Sequence, residues 1–241
     1  MTDACRDKLP SVVGNITKVL FPSVMNNPPE GGHMAMSETF SFANTEDIND
    51  ILAIEELSFA DGVKESRVVY LDRISTFPEG FLLLEMTEST KPVGYICSEL
   101  WTFAENLKPK KLELGHSIKD AHIPQGNELY ISSMGLLPEF RGAGLGKKML
   151  QELMERTIKS HPKVISVVLI VSEKWQAAQN TYKKLGFQEV FTISSFFKPI
   201  GFATEKVIVM RKKIKPILIK SLDSHYYLWH TKYRYVWSTY V

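Results

Sequence analysis

Residues 139–146 read EFRGAGLG, with glycines at 142, 144 and 146, and KKMLQELMERTIKS follows at once. Glycines at the mouth of a helix leave several backbone N–H groups bare, and the helix dipole adds partial positive charge there. Such a stretch suits a phosphate or pyrophosphate. The same composition also makes an ordinary tight turn. Spacing rules out the common nucleotide motifs. A Walker A loop needs Gly-x4-Gly-Lys-Ser/Thr, but Arg141 stands five residues before Gly146, and Lys147 is followed by Lys148. A dinucleotide fingerprint counted from Gly142 and Gly144 puts Lys147 at its third glycine. An anion at the helix start and a plain turn both remain open.

The other chemistry-bearing residue types form no set of their own. His116 and His122 are six residues apart in a polar linker and share neither a helix face nor a strand repeat, so they read as surface histidines. Neither Cys5 nor Cys97 has a partner at metal-ligand spacing, so no metal is expected. Two cysteines suit a reducing, cytoplasmic compartment. Hydrophobic content of 44%, charged content of 23% and a net charge of +2 describe a soluble globular protein, with no call for a nucleic-acid or membrane partner. The longest apolar run, VISVVLIV at 164–171, falls short of the ~20 residues of a spanning helix. Residues 11–24 are mildly apolar, but two Asp against one Arg and one Lys precede them, which makes a poor signal peptide and leaves the sequon at Asn15 idle.

Around the glycine loop, short strands and helices alternate. ETFSFAN (38–44) reads as a strand. TEDINDILAIEELSF (45–59) reads as a helix capped by Thr45, with Ile48, Ile51, Leu52 and Ile54 as its apolar stripe. KESRVVYLDRISTF (64–77) is a second helix, followed by strands at 80–86 and 92–103, a polar region at 104–126 and a strand at 127–137. The helix after the loop runs to about 160, on a stripe of Leu145, Met149, Leu153 and Met154. VISVVLIV is a strand buried on both faces, 172–187 a helix closed by Gly186, and 187–195 and 204–213 the last strands. The expectation is an α+β domain over 38–213, its sheet mostly antiparallel with one parallel crossover. A flexible lead-in is expected over 1–37, with Pro, Gly and Asn collected at 22–37. A tail at 214–241 carries seven aromatics and four basic residues.

RGAGLG (141–146) resembles the R/Q-x-x-G-x-G/A acetyl-CoA loop of the GNAT N-acetyltransferase superfamily. MGLLPEF (134–140) is similar to that family's fourth strand running into the loop, and YKKLGF (182–187) to its Y-x-x-x-G-F ending. The resemblance implies the GNAT fold: about seven strands flanked by helices, splayed between the fourth and fifth. It implies acetyl-CoA as acetyl donor, its pantetheine arm on the main chain of Met134, Gly135 and Leu136. Its pyrophosphate would rest on Arg141, Gly142, Ala143, Gly144, Leu145, Gly146 and Lys147, with Asn180 as a further contact. Tyr182 falls on the family tyrosine that protonates the departing thiolate. Glu128 falls where several members keep a catalytic Glu as base; by alternation it shares a face with Tyr130, Ser132 and Met134, although a carboxylate at a strand start is also commonly just solvated. The stretch 99–146 resembles the arylalkylamine (serotonin) N-acetyltransferase branch, whose two fourth-strand histidines are Tyr130 and Ser132 here. That branch implies a small arylalkylamine acceptor near Phe59, Tyr130 and Ser132. A protein N-terminus, lysine or polyamine is the alternative acceptor, and a non-catalytic coenzyme A-binding module the alternative of another class.

Overall fold

The structure is a computed structural model and describes residues 37–87 and 89–215. Cys5, Asn15 and nearly all of the expected lead-in and tail lie outside the described residues.

Seven strands form one sheet in the order β1-β2-β3-β4-β5-β7-β6. They are β1 (Glu38–Phe42), β2 (Phe81–Met86), β3 (Gly94–Trp101), β4 (Glu128–Leu136), β5 (Ser166–Ser172), β6 (Gln188–Phe197) and β7 (Glu205–Lys213). Among the described strands only β4 and β5 pair in parallel. A parallel neighbour needs a crossover, and α4 (Leu145–Ser160) supplies it. The other helices are α1 (Ile48–Ser58), α2 (Arg67–Thr76), the single turn α3 (Ile118–Ala121) and α5 (Gln176–Lys184).

The apolar stripes go where their period sends them. Leu145, Met149, Leu153 and Met154 are buried against Leu82, Ile96, Leu129, Val167 and Met210 on one face of the sheet. On the other face Ile48, Ile51 and Ile54 of α1 pack with Tyr70, Phe81 and Tyr95. Asn44 rather than Thr45 supplies the cap, and it caps the 3-10 turn Thr45–Asp47 that leads into α1. The Asn44 side chain accepts from Glu46 N at 2.8 Å, and the Asp47 carboxylate accepts from Asn44 N at 2.8 Å. This capping box satisfies two otherwise bare donors and puts Thr45 inside a leading 3-10 turn.

Two irregularities in β4 make the site. First, its pairing with β5 runs only from Glu128–Ser166 to Ile131–Leu169. Both strands continue, so they diverge beyond Ile131. Second, Ile131 pairs with Ser98 but Ser133 with Cys97, so Ser132 is an extra, bulged residue. One inserted residue reverses the alternation. Tyr130 packs with Trp101 on one side of the sheet, whereas Met134 packs into the core on the α4 side. The single face expected for Glu128, Tyr130, Ser132 and Met134 therefore breaks at the bulge.

Candidate active site

The glycine loop begins where β4 ends. Gly142 and Gly144 have φ of +85° and +81°, and Gly144 is the N-cap of α4. A Cβ at either position would meet no atom within 4 Å, so the left-handed backbone rather than crowding calls for glycine. Arg141 ties the loop down, its Nε donating to Leu136 O at 2.9 Å and its Nη2 to Leu57 O at 3.3 Å. Gly135 is required for a different reason: a Cβ there would lie 2.5 Å from the Tyr95 ring.

A cleft of about 490 Å³ opens between the loop and α5. Met134, Leu136, Arg141, Gly142, Gly144, Leu145, Gly146 and Lys147 form one wall; Trp175, Ala178, Thr181 and Tyr182 form the other. Leu137 N donates to Val93 O at 2.9 Å, and alternate residues of an antiparallel strand bond to the same neighbour. Gly135 therefore pairs back to β3, while the main-chain groups of Met134 and Leu136 point into the gap that β5 has left. Two expected contacts are absent from the cleft wall. Ala143 and Asn180 are both exposed, and Asn180 sits on the outer side of α5.

On the other side of the divergence lies a smaller pocket of about 70 Å³. Glu55, Glu65, Ser132 and Ser133 bring polar groups to it; Phe59, Trp175 and Phe197 bring rings. The Trp175 ring lies 5.7 Å from Phe59 and 5.6 Å from Phe197. Phe59, Met134, Trp175 and Tyr182 line both hollows and so stand at their junction. Tyr182 is 9% exposed, burial pushes its phenol up to about 12, and its hydroxyl bonds to no group among the described residues. Gln179, which no sequence motif marks, positions it. Its side-chain amide donates to Ser172 O at 2.9 Å and Glu173 O at 3.0 Å, fastening α5 to the end of β5 one turn before Tyr182.

Glu128 lies elsewhere. It opens β4, within the segment that still pairs with β5, and its side chain is 0% exposed. Arg211 Nε lies 2.8 Å from one carboxylate oxygen, to which Ser166 Oγ also donates at 2.8 Å. So held, Glu128 lines neither of the two hollows. Tyr130 is absent from the small pocket as well: it is buried and stacks on Trp101 at 4.1 Å. Phe59 and Ser132 do line that pocket.

The two histidines are not plain surface residues. His116 Nε2 bonds to the buried Glu99 carboxyl and its Nδ1 contacts Glu113 O at 2.8 Å. His122 Nδ1 accepts from Leu100 N at 3.2 Å, and its ring lies 4.6 Å from Phe77. Among the described residues no three His, Cys, Asp or Glu side chains are grouped to hold a metal, and no helix is long and apolar enough to cross a membrane.

A mixed sheet opened beside its one parallel pair, with a glycine-led helix at the opening, defines a transferase fold that takes an acyl thioester of coenzyme A. The chain belongs to the acetyltransferase (GNAT) family, whose sequence profile matches residues 47–187. It is an N-acetyltransferase with acetyl-CoA as co-substrate. An N-alpha-acetyltransferase of Sulfurisphaera tokodaii is 26% identical over 156 residues, which cover 64% of this chain and 83% of that protein. The loading GNATL domain of CurA from Lyngbya majuscula superposes with a TM-score of 0.61 at 16% identity, over 73% of this chain and 98% of that one. Arabidopsis thaliana Naa50, solved with the bisubstrate analogue CoA-Ac-MVNAL, gives 0.54 at 20% identity, over 74% and 99%.

Proposed function

We propose that the acceptor is the α-amine of a peptide or protein N-terminus, entering the small pocket beside Tyr182 while the residues behind it lie over the rim. The observation that carries this reading is a third hollow of about 360 Å³ that shares Leu114 with the small pocket. Gly62 and Phe196 line the outer hollow where their neighbours Val63 and Phe197 line the inner one. An acceptor with a chain behind its amine fits both, whereas a small arylalkylamine fills only the ring-lined inner pocket. The S. tokodaii relative supports the peptide reading. The arylalkylamine reading rests on the resemblance of 99–146 and on the rings of Phe59, Trp175 and Phe197 in the inner pocket.

Acetyl-CoA brings a thioester whose carbonyl carbon the amine attacks. The residues suited to hold it are the loop from Arg141 to Lys147 and the inward-facing main chain of Met134 and Leu136, whose open wall matches an elongated anionic ligand. An N–H near Met134 is placed for the developing oxyanion. Tyr182, protonated throughout the physiological range, supplies the proton that the leaving thiolate takes up.

The test is a panel followed by thiol release from acetyl-CoA. It contains short peptides with free N-termini, the same peptides with blocked N-termini, tryptamine, serotonin and spermidine. Turnover of the free peptides and not of the blocked ones is expected. Turnover of tryptamine or serotonin with the peptides inert would replace this acceptor by the small amine.

A further inference from the structure

With Glu128 locked away, an ammonium acceptor has no obvious proton acceptor in the cleft. The small pocket contains one, at the end of a hydrogen-bonded chain. Ser133 lines the pocket, and its Oγ lies 2.9 Å from Tyr95 Oη. Tyr95 donates in turn to Glu55 Oε2, and Glu55 Oε1 accepts from Glu65 N at 2.9 Å. Glu55 reaches the pocket wall but is only 2% exposed, and Tyr95 is fully buried, so the two hydroxyls give the carboxyl a hydrogen-bonded route to the open part of the pocket. The bulge at Ser132 is what turns Ser133 toward this side, because without it Ser133 would face α4.

We propose that Ser133, Tyr95 and Glu55 form a proton relay that draws one proton from the acceptor ammonium before it attacks. The ammonium gives a proton to Ser133 Oγ as the Ser133 proton passes to Tyr95 Oη and the Tyr95 proton to the Glu55 carboxylate. Both hydroxyls are restored and Glu55 is left as the acid. The neutral amine then attacks the acetyl carbon: the C–N bond forms, the C–S bond breaks, and the thiolate takes the Tyr182 proton. The second nitrogen proton, shed once the C–N bond has formed, restores Tyr182. Glu55 returns its proton to solvent along the same chain, so the cycle releases coenzyme A, the amide and one proton.

The surroundings of Glu55 fit this use. Burial raises its carboxyl above the ordinary range, against the pull of the Tyr95 and Glu65 hydrogen bonds, so it holds a proton more readily than a surface carboxylate. Burial also holds the Tyr95 phenol well above its ordinary range, so Tyr95 passes a proton on rather than ionising. The other titratable groups facing the cluster are Tyr70 and Arg73 from α2, Cys97 from β3 and Glu65 from the loop before α2. Tyr70 Oη lies 2.8 Å from Tyr95 Oη, and Arg73 is bonded to Glu65. Burial pushes Cys97 to about 11, which keeps it a neutral thiol.

The inference rests on the acceptor entering the small pocket. It is tested on whichever amine the panel shows to be turned over, by kcat/KM from pH 6 to 9.5 for Ser133→Ala, Ser133→Thr, Tyr95→Phe and Glu55→Gln. Below the acceptor's own pKa, near ~8 for an α-amine, Ser133→Ala and Tyr95→Phe should lose roughly 10–10²-fold. The loss should shrink as the free amine takes over at high pH, and Ser133→Thr, which keeps a hydroxyl, should restore the rate. The thermal shift given by coenzyme A should not change. A wild-type rate at pH 7 in Ser133→Ala, or an equal loss at every pH, overturns the relay. If Glu55→Gln does not fold, Ser133→Ala and Tyr95→Phe decide. A wrong acceptor class shows in the panel, a wrong relay only in the pH profile.

Discussion

Tyr182 sits where a leaving group from one hollow and a nucleophile from the other would meet, and it is lined up by packing rather than by hydrogen bonds. Its ring centroid lies 6.0 Å from that of Phe187, and Gln179 fixes its helix. Removing only the hydroxyl therefore leaves the wall of both hollows in place. Tyr182→Phe is expected to lower kcat by roughly 10²–10⁴, the usual worth of a positioned acid. The KM for acetyl-CoA should hold, because an interaction made only in the transition state is lost. Steady-state kinetics decide it: full kcat in the Phe variant would make the tyrosine structural. Tyr182 could be found from a motif because its position relative to Gly186 and Phe187 carries the signal. Glu55 gave no such signal. It stands at i+7 from Ile48 and i+4 from Ile51, so the helical period puts it on the buried stripe and Glu56 off it. What the period does not say is what such a buried acid bonds to, and only the tertiary placement of Tyr95 supplies that.

At the scale of elements, the site comes from the joint between β4, the loop and α4. Most of these elements were legible, since period-2 and period-3.6 patterns and the Gly-rich loop are local properties. The bulge was not, because an inserted residue is defined by what the partner strand does opposite it, and that partner lies some thirty-five residues away. The bulge is why Met134 leaves the face of Tyr130, and the two hollows that Met134 lines open beyond Glu128. The loop itself gives a sharp test. Coenzyme A should raise the melting temperature by mass action, and NAD or ATP at equal concentration should do much less. Gly144→Val forces a β-branched residue into φ of +81°, which costs on the order of 1–2 kcal/mol, and displaces the loop backbone. The domain should stay folded, since the added atoms meet open space, but the coenzyme A shift should vanish. An unchanged shift in the variant would move the ligand away from the loop.

At the scale of the whole molecule, the polar stretch between β3 and β4 proves to be part of the folded body. His116 and His122 dock it through side chains of opposite electrostatic behaviour. Burial alone would lower His116, but its bond to Glu99 outweighs this and raises it. Burial lowers His122, with no comparable partner. A histidine raised in the folded state binds its proton more tightly there. Its contribution is complete below the unfolded value of ~6.5 and disappears as pH rises through the folded value. A lowered histidine opposes protonation, so its cost to the fold grows as pH falls below ~6.5. The two variants should therefore diverge in thermal melts taken from pH 5 to 9. His116→Gln should lie furthest below wild type at the acid end and approach it toward pH 9. His122→Asn, which keeps an acceptor for Leu100 N without a proton to gain, should do best relative to wild type at the acid end. A gap between wild type and His116→Gln that stays constant across that range would mean that the Glu99 pair contributes only packing.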